Sequence, residues 1–78
     1  MIEYSICNQA DEEIFKKQCA ALEKKITGLK KEQALKDVDG SLTQVYSLGT
    51  DSISVHNSYY CNEVYIRSTI DLRQFFLE

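Results

Sequence analysis

Between Leu42 and Ser68, apolar and polar residues alternate in three successive runs, a two-residue period that predicts strands. The runs are Leu42–Leu48, Ser52–Asn57 and Tyr60–Ser68, separated by the turn-forming stretches Gly49-Thr50-Asp51 and Asn57-Ser58-Tyr59. Such alternation sorts side chains onto two faces. Leu42, Tyr46, Leu48, Ile53, Val55, Val64 and Ile66 form an apolar wall, while Thr43, Val45, Ser54, His56, Glu63, Tyr65 and Arg67 form a face of mixed chemistry.

Before these runs the period changes. Met1–Cys7 alternates, with Ile2, Tyr4 and Ile6 on one side and Glu3, Ser5 and Cys7 on the other, which predicts a short first strand. Phe15, Cys19, Leu22, Ile26 and Leu29 then recur every three or four residues, the apolar stripe of an amphipathic helix over about 9–27. Asn8 is placed to cap it, with Asp11 completing a capping-box-like pair, Glu12 and Glu13 near the positive dipole end, and Gly28 as terminator. Leu29–Val38 is ambiguous: its composition suits a helix, but Asp39-Gly40 is a two-residue hairpin signal that would pair Ala34–Val38 with Ser41–Leu48. The hairpin is the favoured reading. After the last run, either Ser68 caps a short helix with Asp71 at its third position, or the strand continues through Ile70 and Leu72. Phe75 and Phe76 need cover in either case, as core or dimer contact. Leu77-Glu78 reads equally well as native sequence or as a cloning remnant.

Together these elements predict an α+β domain spanning 1–78, with one amphipathic helix packed on one face of a small antiparallel sheet of about four or five strands. A chain of 78 residues buries a small core, so a homodimer would help it cover apolar surface. The net charge of −3 gives no support for sequence-independent nucleic-acid binding. An export signal and an apolar run long enough to span a bilayer are not seen, so a cytoplasmic location and no membrane partner are expected. Three cysteines, Cys7, Cys19 and Cys61, lack metal-site spacing and fit reduced thiols. No motif calls for a cofactor or a metal.

Candidate chemistry is sparse. Asp37-Val38-Asp39-Gly40-Ser41-Leu42 resembles the first motif of the haloacid dehalogenase phosphatases. That resemblance implies Asp37 as nucleophile and magnesium ligand and Asp39 as general acid and base. The family sets the motif after a buried hydrophobic strand of a large parallel sheet, whereas Glu32–Lys36 is polar, and hairpin-turn chemistry accounts for the same letters. A calcium loop from Asp37 is rejected because its twelfth position is Leu48, not a glutamate. His56 is the single histidine, and antiparallel pairing would put Cys61 and Glu63 on its face as a thiol–imidazole grouping. Lys17, Lys24 and Lys31 would form one row opposite the apolar stripe if the helix ran far enough. Of five tyrosines, four fall between Tyr46 and Tyr65, and Tyr65 shares a face with Arg67, a residue pair typical of protein interfaces.

The expected function is therefore non-enzymatic binding of another protein, as an acidic inhibitor or neutralising partner, through Thr43, Ser54, His56, Tyr59, Glu63, Tyr65 and Arg67. The alternatives are a nucleic-acid-binding module using the sheet aromatics and helix lysines and, ranked lower, a small Cys–His hydrolase.

Overall fold

The computed structural model describes Met1–Phe76; the Phe76 side chain, Leu77 and Glu78, and the expectations attached to them, lie outside the described residues. The chain runs β1 (Ile2–Cys7), α1 (Glu12–Lys25), β2 (Lys30–Lys36), β3 (Leu42–Leu48), β4 (Asp51–Ser58), β5 (Glu63–Ser68) and α2 (Arg73–Phe76). The strands form one antiparallel sheet in the order β1-β5-β4-β3-β2, so β2 to β5 are a meander and α1 carries the chain from one sheet edge to the other. This is the α+β arrangement expected from the change of period along the chain.

α1 is two to three residues shorter at each end than its apolar stripe suggests. Its cap is Asp11, not Asn8: the Asp11 carboxylate accepts from the backbone N–H groups of Glu13 at 2.9 Å and Ile14 at 3.1 Å. The loop before it is held from outside, with Asp11 N–H donating to Asn57 Oδ1 at 2.9 Å and Ala10 N–H to Asn62 Oδ1 at 3.0 Å. At the other end Ile26 takes extended backbone and is buried, so the chain leaves the helix before Gly28, which sits in the following turn. Lys31 consequently lies on β2 rather than on the helix, and the expected Lys17–Lys24–Lys31 row does not form.

The β2–β3 hairpin exists, with Lys36 opposite Leu42, but its turn differs from a two-residue Asp-Gly turn. Gly40 N–H donates to Asp37 O, Asp37 N–H donates to Ser41 O, and Gly40 alone takes positive φ, at 91°. That is a three-residue loop closed by a glycine bulge. Asp37 and Asp39 satisfy local N–H groups in it, on Val38 and Ser41 respectively. The β4–β5 turn also lies later than expected: Ser58 pairs with Glu63, and Tyr59–Asn62 make the turn, with Asn62 at φ 53°.

The core is the alternation predicted from sequence. Leu22, Ile26, Tyr46, Ile53, Val55 and Ile66 pack into one cluster with Phe15, Cys19 and Leu72. Three polar residues share that side: Gln44, Asn57 and Ser68 are buried. Gln44 fills a β-bulge in β2, its amide donating to Glu32 O at 3.1 Å and Gln33 O at 3.3 Å. Tyr46 reaches through the core to donate to Glu23 at 2.6 Å, and burial pushes its phenol far above the ordinary value. Burial likewise raises the Cys19 thiol, against the lowering influence of Tyr46 beside it.

A five-strand sheet is about 19 Å wide between its outer strands, and a helix with side chains covers about 10–12 Å. α1 packs on β4 and leaves both flanks of its sheet face thinly covered. The end of the chain covers part of the β1 flank: the strand stops at Ser68, and Ile70, Leu72 and Phe75 fold over the core. Tyr4 fastens this segment, its hydroxyl donating to Asp71 at 3.1 Å and accepting from Leu72 N–H at 2.8 Å. α2 is thus a single turn beginning just after Asp71, whose carboxylate accepts from Arg73 N–H and is held well below its usual pKa by the Arg73 side chain.

Candidate functional site

Among the described residues, no helix covers the other face of the sheet. Register fixes its contents in two rows across the strands. One runs Ser5–Tyr65–His56–Thr43–Leu35 from β1 to β2, and the next runs Glu3–Arg67–Ser54–Val45 from β1 to β3. Of these, Thr43, Val45, Ser54, His56, Tyr65 and Arg67 share the face that their two-residue alternation predicts.

His56 is the centre. Its ring stacks on Tyr65 with centroids 4.6 Å apart and planes 8° from parallel. Its nitrogens meet hydroxyls on both sides, Thr43 Oγ1 at 3.2 Å from Nδ1 and Ser54 Oγ at 2.7 Å from Nε2. Because a hydroxyl both donates and accepts, this pair accommodates either tautomer of the neutral ring. Burial depresses the imidazole pKa, and the Arg67 guanidinium nearby adds to the effect against the opposing influence of Glu3. Arg67 lies 5.8 Å from the Tyr65 ring centre and is anchored by Glu3 at 3.2 Å. Burial raises the Tyr65 phenol.

Five of the seven residues expected from sequence are therefore neighbours: Thr43, Ser54, His56, Tyr65 and Arg67. Glu63 stands on the same strand and face as Tyr65 but one pair further out, opposite Ser58. Tyr59 is apart. Its ring lies over Gly40, where an added Cβ would come within 3.4 Å of the ring, and it borders a recess with Lys36, Leu42 and Glu12 at the helix end. Cys61 is exposed in the β4–β5 turn, its N–H donating to Ser58 Oγ, and the nitrogens of His56 face Thr43 and Ser54 instead. Glu3, Ser5 and Leu35 join the face without having been singled out as site residues. The β1 alternation grouped Glu3 with Ser5, but only the pairing of β1 with β5 brings them beside Arg67 and Tyr65.

The Ser54–His56 contact has the length of a nucleophile–base hydrogen bond. Its surroundings supply little else for catalysis. The group on Nδ1 is an uncharged hydroxyl, which cannot stabilise an imidazolium as a carboxylate does, and β4 is paired on both sides, so its backbone N–H groups serve the ladder rather than an oxyanion. Among the described residues, no group of three or more His, Cys, Asp or Glu side chains is placed to hold a metal, and no helix is long and apolar enough to cross a membrane. Comparison of the chain with protein-family models, curated proteins and solved structures gives no match.

Proposed function

We propose that this protein binds another protein through the open sheet face centred on His56 and Tyr65, without catalysing a reaction. The carrying observation is the pre-organised state of that face. His56 is gripped from both sides by hydroxyls and stacked on Tyr65, and Arg67 is anchored by Glu3. A face held in this way loses little side-chain freedom on docking, which favours affinity. Tyrosine and arginine at its centre are the residue types that dominate interface energetics. With a net charge of −3, the chain would associate faster with a basic partner, in keeping with an inhibitor or neutralising role.

Base stacking fits less well. The His56 and Tyr65 rings each cover one face of the other, and the acidic balance opposes phosphate. The test is affinity capture from the native host with three baits: the native chain, Tyr65→Ala and Arg67→Glu. A protein retained by the native chain and lost with both variants is the expected result. Equal retention by all three would sink the proposal.

A further inference from the structure

The two edges of the sheet are guarded differently. β2 is exposed along its whole length, is broken by a bulge and carries Lys30, Lys31 and Lys36, all features that discourage another strand from pairing there. β1 carries one charge, Glu3, already paired with Arg67, and its own bulge falls between Ser5 and Cys7, after a regularly paired Ile2–Ser5. Beside β1, on the helix side, lies an apolar groove of about 240 Å³ lined by Tyr4, Ile6, Gln18, Ile66, Leu72 and Arg73. Ile2 and Ile6 stand more than a third exposed on either side of Tyr4.

We infer that β1 pairs with β1 of a second copy of this chain, antiparallel about a two-fold axis at Tyr4, to give one continuous sheet of about ten strands. The occupant follows from charge and pattern. An axis perpendicular to the sheet keeps like faces together, so only registers that pair inner with inner residues are allowed. Centred on Glu3, the register would oppose two carboxylates. Centred on Tyr4, it sets Glu3 against the partner's Ser5 and sets each Ile2 against the partner's Ile6. Ile2 of each copy then lies along the other's groove, which Ile6 lines. Two copies meeting at β2 would instead bring their lysines together. This contact runs along the β1 edge, where Glu3 and Ser5 border the open face, and it leaves both His56 platforms exposed on one side of the joined sheet.

Sedimentation of the full chain over a concentration series tests the inference. The native chain is expected to dimerise. Ile6→Lys and Ile2→Lys should each weaken the dimer at least about tenfold, because each sets a lysine against an isoleucine at both symmetry-related pairs. Leu35→Lys, at a more exposed position on β2, should leave it intact. Circular dichroism identifies any variant that fails to fold, and hydrogen exchange of the native chain provides a reading free of substitutions: protection of β1 amides should rise with protein concentration, while that of β2 amides should not. A native chain that stays monomeric, β1 protection independent of concentration, or a dimer broken by Leu35→Lys alone would overturn the inference.

Discussion

The two faces of this sheet are built from the same strands and differ in almost everything else. On the covered face, Tyr46, Ile53, Val55, Val64 and Ile66 are 0–3% exposed, and all but Val64 cluster with the stripe of α1. On the open face, the residues one position along, Val45, Ser54, His56 and Tyr65, are only partly buried. The covered face is ordered by exclusion of water, which is non-directional and tolerant of detail. The open face is ordered by direct contacts between particular groups: two hydroxyl–imidazole bonds, one ring stack and one ion pair. A change on the first should act on stability. A change on the second should act on binding while the fold persists.

The largest effect belongs to the covered face. Leu22→Ala, at a fully buried position, should destabilise the chain by about 2–5 kcal/mol in urea unfolding. Asn57→Ala should follow at about 1–3 kcal/mol, because it leaves Asp11 N–H without its partner beneath the helix start. Asn57 is also a weak point in itself, since its buried Nδ2 has no hydrogen-bond partner among the described residues. On the open face, Tyr65→Ala removes a cross-strand stack worth about 0.2–1 kcal/mol, so the melt should move little while partner capture is lost. A Tyr65→Ala loss as large as that of Leu22→Ala would erase the distinction between the faces.

These contrasts also explain what could be read before the fold was known. Face assignment needs only local alternation, so the apolar wall and the Thr43–His56–Tyr65–Arg67 set were legible from spacing alone. Register was not. Gln44 falls inside by the alternation of β3, but the β2 bulge whose carbonyls satisfy its amide, and the bulge in β1 that turns Cys7 toward the covered face opposite Val64, each insert one residue into a pattern whose period is two. The β4–β5 turn slipped for a related reason: Asn57-Ser58 has turn chemistry, yet Asn57 is needed inside to hold Asp11, and Asn62 takes the left-handed position instead. Asn8 lost the cap to Asp11 because the asparagine tethers place the loop from outside the helix. The turn and the cap thus rest on partners more than 40 residues away in sequence.

The smallest effect is a pH dependence. His56 has a folded-state pKa below its ordinary value of 6.5, so between that folded value and 6.5 the unfolded chain binds more protons than the folded one. Stability should therefore fall as pH drops below 6.5 and level off once the folded ring is also protonated. Thermal melts across this window should show the loss in the native chain and a flatter profile in His56→Gln, which keeps hydrogen-bonding capacity without titrating. An identical slope in both would assign the effect to other groups.

The open face as docking surface is the central claim, and site-specific photo-crosslinking in the native host addresses it most directly. A photoreactive residue at Val45, beside Ser54 on the open face, should capture a discrete protein, and one at Lys17, on the exposed side of α1, should not. Capture of that protein from Lys17 but not from Val45 would contradict the account.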